Sequence, residues 1–272
     1  MGNKFFSEIY MLSTCQIDGA MPRPAQTHLP ICPTPDFSLC DEPLAHDDVP
    51  SILSQIKAAF AKPPNVASAL HGQRRIRQGG RGKRTALFAS RKSGGAIPVE
   101  SRLELGHAIA LERSYQVRDY RTQAICIALP EGRWAYPDFL VLTQSGEFEV
   151  HEVKPSIAHL SADHVRRFNV MEKLLETVGV GFKLIDANNL PTDRVLEDLL
   201  FRYTRGHCKM WTHMQIELGL AVLDEGPLSS FTDAYTILAT RHLPPQLADY
   251  LYFHERWAVK PLTSTRSHGG EA

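Results

Sequence analysis

At 272 residues, with 43% hydrophobic and 22% charged side chains, the chain has room for one large domain or two ordinary ones and the composition of a soluble globular protein. No apolar run approaches the ~20 residues that span a bilayer, and the opening MGNKFFSEIYMLSTCQIDGAM lacks the apolar core of a signal peptide, so no membrane partner is expected. Five cysteines (Cys15, Cys32, Cys40, Cys126 and Cys208), odd in number and without a CxxC pair, argue against a disulfide framework and suit a reducing cytoplasm.

The formal net charge of zero conceals an asymmetry along the chain. Residues 1–48 hold seven acids against Lys4 and Arg23, whereas residues 49–99 hold ten Lys or Arg and no acid. The densest part contains Arg74, Arg75, Arg77, Arg81, Lys83, Arg84, Arg91 and Lys92. Clustered like charge on a Gly-containing, weakly periodic segment reads as an arm that neutralises phosphates; a solvated linker, or an arm binding an acidic protein surface, is the competing reading. Residues 1–62 read as a variable Pro-rich N-terminal extension, with one helical patch at 49–62.

Residues 63–190 carry the pattern of an α/β domain. Pro98 precedes a helical stretch, VESRLELGHAIALERS, in which Ser101, Glu104, Ala108 and Leu111 share a face. Three strands are expected at 123–129, 136–142 and 148–154, the last two joined by the turn Gln144-Ser145-Gly146-Glu147. Pro155 ends the third strand. Asp163 opens an amphipathic helix closed by Gly179, and 180–186 reads as a further strand. Hairpins followed by a helical crossover predict a mixed sheet flanked by helices. Residues 191–272 show three helical segments and a possible strand in the tail WAVKPLTSTRSHGGEA, the economy of a winged-helix domain. His207, Cys208 and His213 match no standard zinc spacing and read as scattered polar residues.

Chemistry is concentrated in YPDFLVLTQSGEFEVHEVKP. Alternation puts Asp138 on one face of its strand and Glu152 and Lys154 on one face of the next. Pairing through the intervening turn brings Asp138 opposite Glu152. Two buried carboxylates repel and lose hydration, a conflict that a hard, oxygen-seeking divalent cation resolves. Lys154 then stands where it can orient a water or stabilise charge on a phosphate. His151 alternates to the opposite face and reads as a packing or helix-contacting residue. Arg166 and Arg167 can steer DNA or form a solvated face.

Several motifs in order carry a resemblance to a known family. SRKSGGAIPVESRLE, ALERSYQVRDYRTQ, YPDFLV and HEVKP, spread between about Arg74 and Leu190, resemble the TnsA endonuclease family of the PD-(D/E)xK nuclease superfamily. That resemblance implies a restriction-endonuclease-like fold, with Glu104, Asp138 and Glu152 holding Mg²⁺ (or Mn²⁺ in its place) and Lys154 completing the catalytic set. Glu100 rivals Glu104 as the helix ligand. Family members can carry Gln at the position of Glu152, and Ala124 departs from the Pro often found there. The resemblance further implies a bacterial, nucleoid-associated subunit of a heteromeric transposase. It would cut the 5′-ending strands at transposon ends beside a DDE transposase subunit and an AAA+ ATPase regulator. A stand-alone nuclease and a non-catalytic DNA-binding scaffold on the same fold remain as alternatives.

Overall fold

The computed structural model describes residues 51–64, 85–226 and 228–259. Arg74, Arg75, Arg77, Arg81, Lys83 and Arg84 lie outside the described residues, as do the acidic start of the chain and the tail after residue 259.

Helix α1 (Ile52–Ala61) starts at Ser51, whose side chain accepts from the amide of Ser54. Ile56 is buried against the sheet and α1 is clamped there by Gln55. The Gln55 amide donates to the carbonyl of Cys126 at 3.0 Å and accepts from its N–H at 2.7 Å. Residues 52–61 therefore pack with the α/β core, on the far side of the boundary expected at residue 62. Next comes a hairpin, β1 (Ala86–Ser90) and β2 (Gly95–Val99), closed by a turn that needs the positive φ of Gly94. Sequence reading did not find it, because its turn carries Arg91 and Lys92 and was absorbed into the basic arm.

Helix α2 (Arg102–Arg113) leads to β3 (Val117–Thr122), β4 (Ile127–Leu129), β5 (Arg133–Ala135), β6 (Phe139–Thr143) and β7 (Phe148–Lys154). Helix α3 (Ala162–Glu176) follows, capped by Ser161 with Asp163 inside its first turn, and then β8 (Gly181–Asp186). The main sheet runs β3-β6-β7-β8, antiparallel except for β7 and β8, which are parallel across the α3 crossover. A mixed sheet flanked by helices is what the pattern predicted. The edge strand differs: it is Val117–Thr122, not 123–129. A register shift between Val117 and Asp119 sets the apolar Val117 and Tyr120 three residues apart, which hides the period of two. Gln123, at φ 47°, then turns the chain out of the ladder, and β4 and β5 form a small ladder of their own.

Each sheet face has a core. Phe139, Val141 and Val153 meet Ala108, Ile109 and Leu111 of α2. Leu140 and Val150 meet Phe168, Met171 and Leu175 of α3. Four helices complete the described chain, α4 (Asp193–Gly206), α5 (His213–Leu223), α6 (Phe231–Thr240) and α7 (Gln246–Phe253). Leu196, Leu199 and Tyr203 of α4 and Phe253 of α7 enter the α2-side core, so the expected division at residue 191 is not a break in packing. Helices α4 and α7 cross closely enough that a Cβ on Gly206 would lie 2.6 Å from the Tyr250 nitrogen. Asp249, fully buried on α7, accepts from Arg202, Arg205 and Tyr235 at 2.7–2.9 Å. The fourth helix, α7, was not expected. No strand occurs at 257–259, and the rest of the tail expected to hold one lies outside the described residues.

The C-terminal end of α2 is tied down by Glu112, which is 1% exposed. Its carboxylate accepts from five donors at 2.6–3.1 Å: Ser90 Oγ, the amides of Arg91 and Lys92, and the hydroxyls of Tyr120 and Tyr203. Glu112→Ala removes the acceptor shared by all five, of which only Arg91, Tyr120 and Tyr203 keep a second partner; as when one partner is stripped from a buried charged network, it is expected to cost about 3–5 kcal/mol. Urea unfolding would register this as a lower midpoint with unchanged slope; a loss below about 1 kcal/mol, the scale of one ordinary hydrogen bond, would refute it.

Candidate metal centre

The β6–β7 hairpin sets the geometry of the site. Its turn uses Gly146 at φ 90°, and its register pairs Leu140 with Val150 and Phe139 with His151. One step further, Asp138 stands opposite Glu152, as alternation predicted. The Asp138 amide donates to Glu152 Oε2 at 3.3 Å, and Asp138 Oδ2 accepts from the Val153 amide at 2.8 Å. Lys154 Nζ donates to Glu152 Oε1 at 2.7 Å and lies 5.6 Å from the centre of the Phe168 ring on α3.

Glu104 approaches from α2. Ser101 caps that helix, accepting from the Glu104 amide at 3.1 Å and donating to Glu104 Oε1 at 3.0 Å. Glu104 Oε2 takes the Glu100 amide at 2.8 Å. Glu104 is thus a helix-capping residue as well as a candidate ligand. Of the two rival glutamates it is the buried one, at 8% exposed. A second link holds α2 to β7. His107 Nε2 meets His151 Nδ1 at 3.0 Å, and His151 Nε2 meets Glu149 Oε2 at 2.9 Å. Burial depresses both imidazoles, His107 to about 3, so the pair is neutral. His151 therefore contacts a helix, as its strand position suggested.

Three acids in this confined space disturb one another. Burial, then the charges of Glu152 and Glu104, push the Asp138 carboxyl up to about 7, against the smaller opposing effects of the Val153 amide and Lys154. Burial is also the leading cause that raises Glu104, with Glu100 and Glu152 adding to it and the Glu100 amide and Ser101 opposing. Among the described residues, no three His, Cys, Asp or Glu side chains already converge as ligands around one point. Each carboxylate is instead turned onto a local donor. The donor chemistry still fits a hard divalent cation, being carboxylate oxygen throughout with a lysine at its edge.

Sequence reading gave Gln123 no role in this site. Its amide holds the Asp138 carbonyl at 3.0 Å, and its backbone adopts a positive φ. Its side chain is 3% exposed, with Oε1 buried and lacking a hydrogen-bond partner. The signal available was only its place at the end of ALERSYQVRDYRTQ.

Two members of the expected basic arm have other work. Arg91 donates to the carbonyl of His207 at the end of α4. Lys92 Nζ donates to the carbonyls of Leu111 (2.8 Å) and Ser114 at the end of α2. Burial outweighs attraction to Glu112 and lowers the Lys92 ammonium to about 8. Both cations cap helix C-termini, a structural role that the reading of a phosphate-neutralising arm did not include.

Comparison of the sequence with models of known protein families and with curated proteins finds no match.

If the acids form a cation site, Mg²⁺ at ten times its dissociation constant stabilises the fold by about 1.4 kcal/mol, a rise of roughly 3–6 °C in melting temperature. Asp138→Asn is expected to melt no lower than the parent in chelator and to lose the Mg²⁺ response. An equal Mg²⁺ shift in both proteins would place the ion elsewhere.

Proposed function

We propose that this chain is a Mg²⁺-dependent DNA endonuclease resembling the TnsA family, with a restriction-endonuclease-like cutting domain and a winged-helix-like C-terminal region. The observation that carries the reading is the hairpin register. It sets Asp138 opposite Glu152 and Lys154 two residues along, with Glu104 brought in from α2 near enough to disturb Asp138.

Glu104, Asp138 and Glu152 would hold the cation. When bound it supplies charge neutralisation and Lewis acidity to a phosphodiester. The protein groups do the positioning. The Val153 amide and the Gln123 amide fix Asp138 from both sides of its strand end. Lys154, released from Glu152, offers its ammonium to the attacking water and to charge developing on the phosphate. Water adds to phosphorus as the P–O ester bond breaks, and the leaving oxygen takes up a proton. On this reading the chain cuts the 5′-ending strands at transposon ends, within an assembly containing a DDE transposase subunit and an AAA+ ATPase regulator.

A second reading, a non-catalytic DNA-binding scaffold, draws support from the engagement of every site carboxylate by a local donor. A stand-alone nuclease would nick supercoiled plasmid in Mg²⁺ without partners, whereas a subunit stays nearly silent until the transposase subunit is added. In the assembled reaction Asp138→Ala and Lys154→Ala are each expected to reduce cutting by at least about 100-fold, the scale of losing one electrostatic contribution to the transition state. Unchanged double-strand excision with either variant would refute the nuclease assignment and leave the scaffold.

A further inference from the structure

A cleft of about 190 Å³ is lined by Leu129, Pro130, Glu131, Arg133, Arg166, Arg167 and Val170. It lies below the ~300–1,000 Å³ of small-molecule pockets, so it suits a small group or one portion of a larger ligand. Three of its walls are guanidinium side chains. Their acidic neighbours hold them loosely: Arg133 is 3.7 Å from Glu131 and 3.6 Å from Asp163, and Arg166 is 3.5 Å from Asp163. Arg166 is 72% exposed. The third, Arg167, has a buried Nε with no hydrogen-bond partner. A buried donor left unmade is costly and marks a place for an acceptor.

The far wall is a constrained turn. Glu131 and Gly132 sit at φ 66° and 69°, and a non-glycine residue held there is the kind of strain that gathers at ligand clamps. Arg167 lies 5.9 Å from the centre of the Phe168 ring, and Lys154 Nζ lies 5.6 Å from the same centre.

We propose that Arg133, Arg166 and Arg167 form a subsite for a backbone phosphate of the bound DNA strand, separate from the scissile one. Planar guanidiniums recognise phosphate through paired N–H groups. The choice of a nucleic-acid backbone over a free anion rests on the nuclease reading above.

The test is fluorescence anisotropy of a labelled 20-base-pair duplex with the full chain in chelator, titrated over a range of salt. Arg166→Ala and Arg167→Ala are each expected to weaken binding, and the double variant to flatten the log–log salt slope by about 0.9 for the one phosphate lost. Arg166→Lys, which keeps the charge, retains the slope, and Glu131→Gln tightens binding by removing a like charge from the cleft. An unchanged slope in the double variant, or no duplex binding by the parent chain, overturns the subsite. Inorganic phosphate raising the melting temperature of the parent but not of the double variant, with duplex binding unaffected, overturns the DNA backbone as ligand in favour of a free anion. Failure of the nuclease reading looks different: the parent shows no Mg²⁺-dependent nicking with its partners, while the arginine variants still lose duplex affinity.

Discussion

The buried carboxylate of Glu112 decides how the parts of this molecule meet. Its two oxygens collect donors from the β1–β2 turn, from β3 through Tyr120 and from α4 through Tyr203. A charge so placed is tolerated only because its acceptor capacity is filled. Three neighbouring cations extend the same joint. Lys92, Arg91 and Arg113 donate to carbonyls at the C-terminal ends of α2, α4 and α7 respectively, where the helix dipoles leave partial negative charge. The C-terminal helices are thereby fastened to the α/β core instead of standing apart from it.

Helix α2 carries a second acid, Glu104, at its other end, and the contrast explains why one is structural and the other a candidate ligand. Glu112 has five donors, two of them backbone amides of a tight turn. Glu104 has Ser101 and one amide, and it faces Glu152 and Asp138 across the hairpin end. The His107–His151 contact keeps α2 seated on β7, so Glu104 is held near its like-charged neighbours. Fastening one end of the helix with satisfied charge allows the other end to carry unsatisfied charge.

The β6–β7 hairpin was legible in the sequence because alternation, a Gly turn and a closing proline all agreed on a single register. The helices from 102, 162, 193, 213 and 231 were legible by their period. What escaped was irregular. Strand β3 hid behind its bulge, and the β1–β2 hairpin hid behind a turn of basic residues whose partners, Glu112 and Tyr203, lie far along the chain. Helix α7, eight residues long, follows the paired Pro244 and Pro245, which read only as punctuation. Among the site residues Asp138, Glu152 and Lys154 followed from local spacing. Gln123 did not, since its relevance lies in a cross-strand amide and a positive φ that composition does not reveal.

The proline and aspartate at the mouth of β6 have a backbone reason to be there. Pro137 cannot donate to the ladder, and the strand begins only at Phe139. The β6–β7 register ends at Phe139 and His151, so the Val153 N–H beyond it meets no β6 ladder carbonyl and would be costly to leave bare. The Asp138 side chain fills that gap at 2.8 Å. Folding energy therefore positions this carboxylate before any ligand arrives. Its charge is not settled in the same way, because burial and two neighbouring acids outweigh Lys154 and hold its carboxyl near 7. Asp249, with two arginines and a tyrosine on it, shows what settlement looks like elsewhere in the fold. Geometry fixed by the ladder and charge left unbalanced by it is the combination that suits the divalent cation of the proposed nuclease reading.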